Sequence, residues 1–204
     1  MGQIFRRVEQ YLDRLDVDSV GWFVEIGTSR NGDDGSTKII AEWAARYGRE
    51  LYSVDIDQEN LRFAMGIGIT NLKVWFGPGE QFLRTWATHL GSISFLYLDN
   101  FDWDWHPDRP EQFVIDQRAR YRELGLEMNN VNSQRAHLEQ MIAALPNMAE
   151  QSIVVLDDTW YNKYWGHFSG KGGAVVPLLL ANGYKILDTD EHPVYGTIMS
   201  RGIN

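Results

Sequence analysis

Residues 24–37 read VEIGTSRNGDDGST, and the rest of the fold follows from how this stretch is interpreted. It continues the apolar run GWFV at 21–24, which has the length of a buried strand and closes on Gly27. Beyond it, Ile39, Ile40, Trp43, Ala44 and Tyr47 recur at helical spacing, with Gly48 placed to stop the helix. The stretch is therefore the turn between a strand and a helix, where Gly27 lets the backbone approach a ligand that any side chain would strike. A phosphate-binding loop needs Gly-Lys-Ser/Thr at the helix start, and GSTK at 35–38 reverses that order. Asp33 and Asp34 also repel a pyrophosphate from the helix N-terminus. A loop that carries carboxylates suits a cationic or phosphate-free ligand.

Working outward, Phe5, Val8, Leu12 and Leu15 share one face of an amphipathic opening helix. Further strands are expected at ELYSVDID (50–57), NLKVWFG (71–77), ISFLYLDN (93–100) and SIVVLDD (152–158), with helical stretches near 80–90 and 133–145. YKILDTD (184–190) and VYGTIMSRG (194–202) follow one another without a helix and predict an edge hairpin around a turn containing Pro193. This alternation predicts an α/β fold, doubly wound, with a mostly parallel seven-stranded sheet and an antiparallel edge strand. No repeat or linker divides residues 1–204, so a single domain is expected. The stretch at 101–132 is too long for an ordinary connection and reads as an insertion that forms a lid or acceptor pocket.

The chain has 204 residues, an apolar fraction of 44% and eight tryptophans, which fits one globular domain. With no cysteine, disulfides, thiolate metal sites and cysteine nucleophiles are excluded. A formal charge of −9 argues against nucleic acid and anionic membrane as partners. The apolar runs are too short to span a bilayer, no leader is evident, and Arg6 stands where an acylation motif needs Ser or Thr. A cytoplasmic protein acting on a small molecule is expected.

Ligands of open parallel sheets bind outside the carboxyl ends of the strands. Glu25, Asp55, Asp57, Asp99, Asp157 and Asp158 all fall there. Turns and helix caps favour Asp as well, so no single one of these acids is decisive.

Taken together, these motifs resemble class I S-adenosylmethionine-dependent methyltransferases over residues 20–100 and 150–200. The likeness is to the small metal-dependent O-methyltransferases of the catechol and macrocin types, which have a Rossmann-like fold. VEIGTSRNGDDGST is similar to their first motif, with a longer span between Gly27 and Ser36; the resemblance implies that Glu25, Gly27, Thr28, Ser29 and Ser36 hold the cofactor. YSVDID resembles the second motif, which makes Asp55, with Asp57 second, the acceptor of the ribose hydroxyls. WFGPGEQFL resembles the segment beside the adenine and brings in Gly79, Glu80 and Gln81, and Asp99 is implied at the cofactor too. Asp99, Asp157 and Asp158 have the placement of the family's metal ligands. Three clustered carboxylates repel one another unless a cation or protons intervene, and oxygen ligands favour Mg²⁺, Mn²⁺ or Ca²⁺, so Mg²⁺ is expected.

One departure concerns the base. Catechol-type enzymes carry a lysine three residues after the first metal ligand, and here that position is Asp102. Asp99, Lys163 and His167 are the catalytic candidates, with His106 and His137 behind them. His137, in the helical SQRAHLEQM, reads equally as a surface or satisfied structural residue, and Lys171 as the start of the next helix. FDWDWHPDRP (101–110) and TWYNKYW (159–165) supply aromatic walls for a sugar or aromatic acceptor, or else bury a lid or a homodimer contact. The expected activity is metal-assisted methyl transfer to a small-molecule hydroxyl. A cephalosporin-hydroxylase-like enzyme and a noncatalytic adenosyl-ligand-binding protein are the alternatives. A nucleic-acid methyltransferase is disfavoured because DNFDW stands in place of an Asn/Asp-Pro-Pro-aromatic signature.

Overall fold

A computed structural model describes residues 3–16, 18, 20–30, 35–104, 110–191 and 196–203. The Pro193 turn, His106, Asp33 and Asp34 lie outside them.

Helix α1 (Gln3–Leu12) precedes β1 (Trp22–Ile26), whose residues alternate between the two faces of the sheet. Phe23 packs on one face with α1 and α2 (Ser36–Arg46); Val24 and Ile26 pack on the other. The same alternation recurs farther along, after β2 (Leu51–Asp55), α3 (Gln58–Gly66), β3 (Leu72–Phe76), α4 (Gly79–Thr85) and α5 (Ala87–Leu90). In β4 (Ile93–Leu98), Phe95 and Tyr97 join the α1/α2 layer, while Leu96 and Leu98 face the opposite one. That opposite layer holds residues of α4, α7 (Asn130–Ala144) and α8 (Val175–Ala181), the first two following β3 and α6 (Glu111–Glu123). Each fully buried phenylalanine, such as Phe23, Phe82 or Phe95, contributes about 1.5–3 kcal/mol.

The sheet is completed by β5 (Met148–Asp157), then β8 (Lys185–Thr189) and β9 (Gly196–Arg201), which come after the short strands β6 (Thr159–Asn162) and β7 (His167–Gly170). Among the described residues, seven strands form one sheet in the order β3-β2-β1-β4-β5-β9-β8. β1 to β5 pair in parallel, and β9 lies antiparallel between β5 and β8. The fold is thus Rossmann-like α/β, mostly parallel, and closed at one edge by an antiparallel hairpin.

Chain order reverses between β1 and β4, which opens a crevice at their carboxyl ends. There the turns after the two strands touch backbone to backbone. A Cβ on Gly27, whose φ is +101°, would lie 2.6 Å from Asn100 N and 2.7 Å from Asp99 C. Only glycine fits that position.

β6 and β7 form a separate antiparallel hairpin, with Thr159 opposite Gly170 and Asn162 opposite His167. Asn162 makes its turn: its Oδ1 accepts from Tyr164 N and Trp165 N at 3.0 and 3.1 Å. Within the 101–132 stretch, α6 is a helix of 13 residues. Among the described residues no helix is long and apolar enough to cross a membrane.

Candidate functional site

A cavity of about 460 Å³ opens at the crevice. Gly27, Thr28, Ser29, Asp55, Gly79, Asp99, Asp157 and Asp158 are in its walls, as the sequence led us to expect, together with Asn60, Asn100, Gln117, Arg120, Tyr121 and Lys171. Glu25, Ser36 and Glu80 are not. The alternation of β1 explains Glu25: its side chain points with that of Phe23 toward α2 and is fully buried. Ser36 Oγ donates to Glu25 Oε1 at 2.5 Å, and Thr37 Oγ1 and Ser53 Oγ donate to Oε2 at 2.7 and 2.6 Å. Burial pushes its pKa from 4.5 to about 7, against the pull of the three hydroxyls. Glu25 therefore organises the back of the loop. Thr37 Oγ1 also accepts from Ser29 N at 2.9 Å, and Thr28 Oγ1 lies 2.8 Å from Ser53 Oγ, so the turn is held at several points.

Asp55 ends β2 with its carboxylate already oriented. Oδ2 accepts from Thr28 N at 2.9 Å and Asn60 Nδ2 at 3.0 Å, and Oδ1 accepts from Asp57 N at 2.7 Å. A carboxylate has about four acceptor sites, so Oδ1 keeps about one for a ligand hydroxyl. Burial raises the Asp55 pKa, and the three N–H donors offset part of that rise. Asp57 also lines the cavity, but its oxygens are already engaged. It caps α3 by accepting from Glu59 N, and Arg120 on α6 grips both of its oxygens at 2.7 and 2.9 Å. This fork ties α6 across the cavity, and despite the cost of burial Arg120 keeps the Asp57 carboxyl below its usual range. The pairing is absent from the sequence reading, because nothing in the spacing of Asp57 and Arg120 announces it.

The acids at the ends of β4 and β5 converge on a lysine. Lys171 Nζ donates to Asp99 Oδ1 at 2.8 Å and to Asp157 Oδ2 at 3.4 Å, and lies 3.1 Å from Asp158 Oδ2. Its side chain is 2% exposed. Burial pulls the ammonium's pKa down, but Asp158, Asp99 and Asp157 outweigh it, and the lysine stays charged. Asp99 is raised by burial and lowered further by Lys171, by a hydrogen bond with Asp157 and by Tyr97, whose hydroxyl donates to Oδ2 at 3.0 Å; the net direction is down. Asp157 goes well up through burial and its two acidic neighbours. The strand-end acids do not fit a divalent cation, because Lys171 Nζ fills the place it needs. Among the described residues, no group of three or more His, Asp or Glu side chains is arranged to hold a metal ion.

The other catalytic candidates lie elsewhere. Lys163 is exposed at the hairpin tip and pairs with Glu191. His167 is exposed and borders a second hollow of about 410 Å³, with Trp103, Gln134 and Phe168. Consecutive residues line the two hollows: Asp102 and Trp103 on one side, Lys171 and Gly170 on the other. His137 is fully buried in α7, its Nδ1 2.8 Å from the Ser133 carbonyl oxygen, and burial pulls its pKa to about 4. It is neutral at physiological pH and outside the cavity wall.

No protein-family model matches the sequence, and neither does any curated protein. Solved structures do match. The O-methyltransferase NovP superposes with a TM-score of 0.58 at 10% identity, over 97% of this chain and 79% of its own. The calicheamicin methyltransferase CalS11 gives 0.58 at 13% identity, over 98% and 79%. MycE, a methyltransferase of the mycinamycin pathway solved with Mg and SAH, gives 0.54 at 13% identity, over 97% of this chain and 49% of its own. The chain has the class I methyltransferase fold. It spans about half the length of MycE, and identities this low establish architecture alone.

Proposed function

We propose that the protein transfers a methyl group from S-adenosylmethionine to a hydroxyl of a small-molecule acceptor. The observation that carries this reading is the pre-oriented Asp55 carboxylate on a cavity at the switch point of a methyltransferase-like sheet. The wall fits such a ligand. Asn100 Oδ1 and Gln117 Oε1 are buried acceptors on the cavity with no partner among the described residues, and an adenine or methionyl amine supplies the donors they lack. A volume of about 460 Å³ is within the range of small-molecule sites. When bound, the sulfonium supplies an electrophilic methyl group that an acceptor oxygen takes by in-line displacement.

The chain's own residues then do three things. Gly27 lets the turns after β1 and β4 close on each other at the cavity wall, Asp55 takes a ribose hydroxyl, and α6 keeps water from the reacting atoms. The acceptor's proton leaves to a carboxylate at the β4/β5 end, where Asp99 is exposed to the cavity. The transfer proceeds without a divalent cation among these acids, where Lys171 Nζ sits. Acids balanced by Lys171 suit a noncatalytic adenosyl-ligand-binding protein as well, so binding and turnover need separate measurements.

Calorimetric titration with S-adenosylhomocysteine is the direct test. The native protein binds, and Asp55→Ala weakens binding by about tenfold to a hundredfold, the size of one or two lost hydrogen bonds to a charged group. Absence of heat with the native protein sinks the proposal. Binding without label transfer from radioactive S-adenosylmethionine to any hydroxyl compound leaves the noncatalytic reading in its place.

A further inference from the structure

We infer that Lys171 is the built-in cation of this site, holding Asp99, Asp157 and Asp158 in register without any metal ion. An ammonium has three N–H donors and no acceptor, and here three carboxylates surround it within 3.4 Å. A lysine 2% exposed must be paired, and these acids are its partners. A divalent ion seated among the same oxygens would stand within a few ångströms of the ammonium, with the two charges repelling in a poorly solvated place.

The backbone around Lys171 is shaped for this placement. Gly170 has φ +87°, and a Cβ there would lie 1.8 Å from the Asp158 carbonyl oxygen. At Gly172 a Cβ would meet Thr159 Oγ1 at 2.7 Å and Leu156 at 2.9 Å. These two glycines let the segment press against the end of β5, where Lys171 N donates to Asp158 O at 3.1 Å and Gly172 N to Thr159 Oγ1 at 2.8 Å. Asp158 itself has φ +43°, uncommon outside glycine. The β6–β7 hairpin thus returns the chain to the acids it has just left. With its ammonium hydrogen-bonded to Asp99 and Asp157 and in charge contact with Asp158, Lys171 is a positioning residue: it fixes the acids, and they face the cavity.

The test needs neither methyl donor nor acceptor, so the methyl-transfer reading can fail while this inference stands, and the reverse. Full-length protein stripped with EDTA is titrated with Mn²⁺, and the free ion is followed by EPR. Native protein and Lys171→Arg leave the free-ion signal as it is in buffer, and EDTA does not move the melting temperature. Lys171→Ala exposes three carboxylates to one another and takes up one Mn²⁺ per chain, on the order of tenfold or more tighter than native. Stoichiometric Mn²⁺ binding by the native chain overturns the inference, and that arm decides alone should the alanine variant not fold. A folded Lys171→Ala that ignores Mn²⁺ overturns it as well, because the lysine would then not occupy a cation's place.

Discussion

Glu25 gives the structure a pH signature that can be calculated. Its carboxyl titrates near 4.5 when unfolded and at about 7 when folded, because burial outweighs three hydroxyl donors. A folded-state pKa above the unfolded one means that the native protein binds the proton more tightly. Stability from this group is fully present below pH 4.5 and is lost as pH rises through 7. The loss over the whole window is about 3 kcal/mol, with about 2.5 kcal/mol of it between pH 5 and pH 8. Glu25→Gln removes the titration and keeps a carbonyl oxygen for the hydroxyls, whose protons rotate to suit the amide. Urea unfolding of native and variant protein at several pH values isolates the effect, since other titrating groups cancel in the difference. The variant's gain over native grows by about 2.5 kcal/mol from pH 5 to pH 8. If the two stability profiles run parallel, Glu25 is solvated, and the account of a sealed turn behind the cavity is wrong.

Two further outcomes follow from single contacts. Gly27→Ala drives a methyl group into the Asp99–Asn100 backbone at a φ of +101°; it lowers stability by about 1–3 kcal/mol from backbone strain alone and abolishes S-adenosylhomocysteine binding. A melt and a titration check it, and native-like binding would refute the close approach of the two turns. Arg120→Ala unties α6 from Asp57, so amide exchange in residues 111–123 speeds up while the central strands stay protected. High salt has the same effect on the native protein, because Arg120 is partly exposed, and unchanged exchange in both cases would refute the tie.

The parallel sheet was readable because its inner strands are short apolar runs punctuated by Gly and Asp. β4, buried at every position, is the clearest. The acids at the strand ends were readable for the same reason: they mark where burial stops. α6 was not, since its apolar Phe113 and Ile115 are exposed and its buried positions are Gln117 and Tyr121, which inverts the usual helical pattern. The β6–β7 hairpin escaped because four-residue strands of mixed aromatic and polar residues carry almost no periodicity. In the sequence Lys171 reads as a helix start. Its signal was the flanking glycines of GKGG at 170–173, which permit a close backbone approach soon after the Asp157–Asp158 pair. Glu25 shows the opposite error: a motif acid read as a ligand contact turns out to brace the loop, because strand alternation sends it to the other face.

The place of Lys171 in the chain also sets an order of assembly. Asp99 and Asp157 become neighbours as soon as β4 pairs with β5, yet their counter-charge is encoded 72 residues beyond the first and 14 beyond the second. While the polypeptide is being synthesised, the sheet's centre can form with its acids still in mutual repulsion, and only closure of the β6–β7 hairpin relieves them. Docking that hairpin is what brings Lys171 to the acids. A nascent chain halted just before Gly170 would have β1 to β5 and not the balance of charge.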